Sequence, residues 1–111
     1  MSSPRRDTRR DYRHFPPAYA DLVRRFRDEG RASVPGLTLA SARSTVRDLY
    51  RFRMFLSAAL DDDPGDDYAR SLFNIFNEVI LRIEPAGETG TYTVRFSLNP
   101  VVAAMRQPAE E

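Results

Sequence analysis

The stretch VILRIEPAGETGTYTVRFSL, residues 79–98, decides the fold. Val79, Leu81 and Ile83 alternate with Ile80, Arg82 and Glu84; further on, Tyr92, Val94, Phe96 and Leu98 alternate with Thr93, Arg95 and Ser97. A period of two places each apolar set on one face of an extended strand. Between the two runs, Pro85 to Gly90 holds a proline and two glycines, a composition that turns the chain. The segment therefore reads as a β-hairpin. A lone hairpin is marginal in water, so this one needs helices on its apolar face or a third strand. Ser33 to Leu39 reads as extended, Val34 to Leu39 supplies the candidate third strand, and Pro35 keeps it at a sheet edge.

Upstream of the hairpin the period is helical. Tyr19, Leu22, Val23 and Phe26 predict a first helix over residues 17–29, with Pro17 in its first turn and Gly30 as its stop. Residues 42–60 contain no glycine or proline and predict a second helix, capped by Ser41 or Thr38. Asp61-Asp62-Asp63-Pro64 breaks that pattern. Asp63 then reads as the cap of a third helix with Pro64 in its first turn, and Asp66 and Asp67 suit the positive end of its dipole. Tyr68, Leu72, Phe76 and Val79 continue it at helical spacing, with Phe73 close by, and Asn99-Pro100 resembles the start of one more short helix. The expected fold class is α+β: two or three helices packed on a small antiparallel sheet, made of the C-terminal hairpin plus a short third strand. Residues 1–16 read as a flexible, arginine-rich N-terminal arm, and residues 17–111 as a single domain.

Composition bounds the function. Hydrophobic residues at 41% and charged residues at 30% describe a globular chain rather than a disordered one. Cysteine is absent, which excludes disulfides, zinc–thiolate sites and a thiol nucleophile and suits a reducing compartment. No apolar run approaches the roughly 20 residues that span a bilayer. The expected location is cytoplasmic, without a membrane partner. All 17 basic residues are arginine, which suits GC-rich coding of the kind found in actinobacteria and their phages.

No enzyme site is legible. The single histidine, His14, falls in the expected arm, where a general base loses the proximity it needs. The five glycines form neither a phosphate loop nor a dinucleotide turn, and no nucleophile elbow is present. The acidic run Asp61 to Asp67 fails the calcium-loop template, because its fifth position from Asp61 is Gly65 and its twelfth is Leu72. Those acids read as a solvated loop that caps a helix. No cofactor, metal or catalytic residue is expected.

The informative feature is the placement of arginine. Residues 1–55 hold 13 arginines against 6 acids, a surplus of +7, whereas residues 56–111 hold 4 against 10, a deficit of −6. Arg43, Arg47 and Arg51 recur every four residues on the second helix and repel one another by about 0.2–0.5 kcal/mol per pair. Asp48 points to the other flank on this reading. With Arg5, Arg6, Arg9, Arg10 and Arg13, the stripe suits a phosphate backbone, because the guanidinium fork binds phosphate in bidentate fashion. Tyr12, His14, Phe15 and Tyr19 stand beside the arm as candidate base-stacking groups. Arg53 belongs elsewhere. It falls between Val46, Leu49 and Leu56 on the apolar face centred on Ala42, Val46, Leu49, Leu56 and Leu60, where a charge must be paired. Glu78 or Glu84 on the hairpin is the expected partner of a buried ion pair, and a bound phosphate or partner carboxylate is the functional alternative.

The sequence thus favours a small non-enzymatic accessory protein that binds nucleic acid mainly through its backbone. The alternative is a protein–protein module, such as an assembly factor or a host-directed phage protein. Its arm would meet an acidic surface, or its oppositely charged halves would associate head to tail into a homo-oligomer.

Overall fold

The computed structural model describes residues 11–87 and 90–106. It is an α+β structure with the element order expected of the patterning. Helix α1 spans Pro17–Glu29, strand β1 Ser33–Leu37, helix α2 Leu39–Asp62, helix α3 Asp67–Phe76, strand β2 Val79–Pro85, strand β3 Tyr92–Leu98 and helix α4 Pro100–Arg106. Among the described residues, a 3-10 turn, Tyr12–His14, precedes α1.

Local chemistry sets most of the boundaries. Pro17 opens α1, and Gly30 closes it at a left-handed φ of 77°, its N–H returning to the carbonyl of Phe26 at 2.8 Å. The Thr38 hydroxyl accepts the Ser41 N–H at 3.0 Å and caps α2, the role for which Ser41 was the other candidate. The cap of α3 is Asp66 rather than Asp63. Asp63 accepts the N–H of Gly65 at 3.0 Å and forms a tight turn, which leaves Asp66 to accept the N–H of Ala69 at 3.1 Å. The third helix therefore begins three residues later than expected, with Pro64 in the turn.

The three strands are antiparallel in the order β1-β3-β2. In the hairpin Val79 faces Leu98, Leu81 faces Phe96 and Ile83 faces Val94, so the predicted apolar sets share one side. Strand β1 pairs Val34 with Val94 and Leu37 with Tyr92, and its register slips between those pairs at Pro35 and Gly36. Proline has no N–H for the ladder, and Gly36 takes a φ of 75° to make the irregularity.

Helices pack on the sheet face that carries Phe96. The Phe76 ring of α3 stacks on Phe96 at 5.7 Å, Phe26 of α1 meets Phe96 at 6.1 Å, and Phe52 of α2 meets Phe76 at 6.4 Å. Leu49, Leu56, Leu72, Val23, Val79 and Val94 complete the core. Two residues expected at the centre of the α2 face, Val46 and Leu60, are only half-buried, whereas Phe52 is buried. The buried set Ala42, Leu49, Phe52 and Leu56 turns the helix so that its inward direction lies about 55° from Arg53, at about 100° per residue. No helix among the described residues is long and apolar enough to cross a membrane.

Candidate nucleic-acid interface

The rotation of α2 that buries Phe52 also settles where its arginines point. Arg47 lies about 175° from the mean inward direction, and Arg43 and Arg51 flank it, so the three form the outward ridge of the helix. All three are exposed. Among the described residues no hydrogen bond or ion pair engages Arg43 or Arg47. Arg51 is less free than its spacing suggested: it lies 3.9 Å from Asp48 and 5.7 Å from the ring of Phe55. Asp48 is thus not confined to the opposite flank. It also stands beside Tyr19, whose hydroxyl pKa is raised by burial first and by the Asp48 carboxylate second.

The expected arm divides. Arg5, Arg6, Arg9 and Arg10 lie outside the described residues. Residues 11–16, expected to be free, are docked. Tyr12 is only 3% exposed, its hydroxyl donates to Asp66 at 3.0 Å, and its ring stacks on Tyr68 at 6.2 Å. Phe15 packs against Phe52 at 5.4 Å and Phe55 at 5.2 Å. Tyr12 is buried, and Phe15 and Tyr19 are half-buried against the core, so of the four expected stacking groups only His14 is exposed. Arg13, expected on phosphate, is held at 3.2 Å by both Asp11 and Asp66 and lies over the Tyr12 ring at 4.6 Å. The physical reason is shared. Asp66 caps α3, and its second carboxylate oxygen accepts both the Tyr12 hydroxyl and the Arg13 guanidinium. The backbone N–H of Ala69, the leading influence, and the Tyr12 hydroxyl hold the Asp66 carboxyl below the usual carboxylate range.

Arg53 is half-buried and does not form the expected ion pair with Glu84. Glu84 is taken by Arg95 at 2.8 Å across the hairpin. The Arg53 guanidinium instead donates to the carbonyl of Val79, the residue after Glu78, at 3.4 Å and lies over the Tyr50 ring at 4.8 Å and the Phe76 ring at 5.7 Å. Tyr50 in turn accepts the N–H of Leu81 at 3.0 Å. The Val79 carbonyl and Leu81 N–H are the groups that β2 turns away from β3, so Tyr50 and Arg53 together cover the free edge of the sheet. An uncovered edge invites pairing with another chain. Glu78 sits at the entry to β2, where its carbonyl accepts the N–H of Asn99 at 2.7 Å.

By sequence Glu78 and Glu84 suit Arg82, Arg95 or Arg53 as partners, and it is Arg95 that takes Glu84. Arg82 and Arg95 are exposed and directly opposite each other on the outward side of the hairpin, a like-charge pairing that Glu84 relieves. Arg31, between α1 and β1, joins Arg95 at the rim of a groove of about 800 Å³. The polar alternation of β3 implied that Arg95 faces outward, but only the register brings it beside Ser33 and the end of α1. Among the described residues no three side chains of metal-ligating type come together. No protein-family model, no curated protein and no solved structure matches this chain.

Proposed function

We propose that the protein is a small accessory protein, without catalytic chemistry, that binds nucleic acid through the phosphate backbone. The observation that carries the reading is the α2 ridge. Arg43 and Arg47 stand one turn apart, face away from the core and meet no acceptor among the described residues. Arg51 continues the ridge, and its ion pair with Asp48 is long and exposed. Such exposed ion pairs are worth about 1 kcal/mol or less, so phosphate competes readily for Arg51. A rigid helix that repeats a cation every turn tracks a charged backbone, while base-specific reading would need side chains that enter a groove. Arg5, Arg6, Arg9 and Arg10 add to the same electrostatic term; Arg13, tied to Asp11 and Asp66, does not. Filter binding to single- and double-stranded DNA and to RNA at two salt concentrations tests the reading. Binding to all three that weakens steeply with salt is expected, and no binding at low salt refutes it.

A protein partner is the second reading. It is favoured by Val101 and Met105 on α4, exposed at 66% and 78%. Sedimentation across salt concentrations separates self-association from a monomeric binder.

A further inference from the structure

The groove rimmed by Arg31 and Arg95 lies between the C-terminal ends of α1 and α3 and strand β3. Its floor is apolar, formed by Phe26, Ile75, Phe96 and Leu98. Its volume, about 800 Å³, falls within the range of ligand pockets, and its lining is mixed, apolar and polar side chains in similar measure. The polar groups are not evenly spread. Arg31 and Arg95 also line a second hollow of about 220 Å³, together with Arg25 and Glu29, so both residues border the two spaces. Glu78 and Asn74 line the groove as well.

The cations differ in how firmly they are held. Arg27 is bound to Asp28 at 2.7 Å and sits in the last turn of α1, where a cation already serves the helix dipole. Arg95 is bound to Glu84 through an exposed pair that competes weakly with an incoming anion. No carboxylate or other acceptor engages Arg31 among the described residues. A single negative head placed at Arg31 and Arg95 therefore gains one unpartnered guanidinium and shares another, while the body covers Phe26, Ile75 and Leu98. Glu78 in the wall disfavours a second negative charge along the body.

We propose that this groove binds a small amphipathic monocarboxylate, an aliphatic or aromatic body whose carboxylate is clamped by Arg31 and Arg95. The guanidinium fork matches a carboxylate in bidentate geometry. The site is built from α1, α3 and β3 and does not depend on the α2 ridge, so it stands or falls separately from nucleic-acid binding.

The test is a nitrogen–proton correlation NMR titration of the full chain with decanoate at millimolar concentration. Saturable shifts at Gly30, Ile75 and Leu98 are expected, without matching shifts along residues 39–51. Decyltrimethylammonium, with the same body and the opposite charge, should leave those resonances in place. Arg31→Gln should weaken decanoate about tenfold, the loss of one charge-assisted contact, and Arg31→Lys should recover part of it. Arg43→Gln with Arg47→Gln should change nothing in this titration. The proposal is overturned if decanoate gives no saturable shift, if the cationic amphiphile shifts the same resonances equally, or if Arg31→Gln binds as tightly as the parent.

Discussion

Replacing Tyr12 tests whether the globule begins where the structure places it. The Tyr12 ring is buried to 3% exposure, stacks on Tyr68 and donates to Asp66, although it lies in a segment whose composition is that of a loose arm. Removing a buried aromatic ring costs about 3 kcal/mol at the lower end of the range for core positions, the end that suits a residue carried by a three-residue turn. About 1 kcal/mol of that belongs to the hydroxyl, and Tyr12→Phe isolates it. Urea denaturation followed by circular dichroism should therefore rank the parent above Tyr12→Phe by about 1 kcal/mol and above Tyr12→Ala by about 3 kcal/mol. The same bond predicts a pH response. Burial, helped by the hydrogen bond to Asp66, raises the Tyr12 hydroxyl from 10 to about 12. A pKa raised in the folded state means that its stabilisation is complete below pH 10 and is lost as the pH climbs towards 12. Two pKa units correspond to about 2–3 kcal/mol, and Tyr12→Phe should lack this component of the alkaline loss. If Tyr12→Ala unfolds within about 0.5 kcal/mol of the parent, as substitutions in undocked segments do, the docking of residues 11–16 is wrong.

Two further perturbations follow from the same contacts. Asp66→Ala removes the α3 cap and the acceptor for Tyr12, and should cost about 2 kcal/mol at neutral pH in thermal or urea melts. Because the Asp66 pKa is depressed, its contribution is present above the ordinary carboxylate range and is lost as the pH falls through the folded value; the variant should therefore lose less stability on acidification than the parent. Arg53→Ala should cost about 1–2 kcal/mol, the worth of one long charge-assisted hydrogen bond and the Tyr50 contact. A loss of about 3–5 kcal/mol would instead mean a buried ion pair broken at one partner.

Much of the architecture was legible because its signals are local. Pro17 and Gly30 bracket α1 by their own backbone preferences, and strict alternation from Val79 to Leu98 marks the hairpin whatever packs on it. The position of Arg53 was misjudged for a physical reason. An arginine follows Phe52, and the inward direction of α2 depends on Phe52 meeting Phe15 and Phe76, contacts that no helical period contains. The docking of Tyr12 and Phe15 was missed likewise, since three residues of 3-10 turn have no periodicity, and their rings meet Tyr68 of α3 and Phe52 and Phe55 of α2. Asp63 and Asp66 were indistinguishable as caps until the turn at Gly65 used one of them. The basic ridge was readable from spacing alone, because exposed residues four apart share a helix face. The Arg31–Arg95 groove was not, because strand register joins residues 64 positions apart.

On the proposed function, the outward ridge of α2 neutralises phosphates. The salt dependence of duplex DNA affinity, followed by fluorescence anisotropy for the parent and for Arg43→Gln/Arg47→Gln/Arg51→Gln, reads this out. Each phosphate contact contributes about 0.9 to the slope of log affinity against log salt. The triple variant should keep its fold, bind more weakly, and show a slope shallower by about 2–3. A triple variant with the parental affinity and slope would contradict the claim, because the charges it lacks would then have met no phosphate.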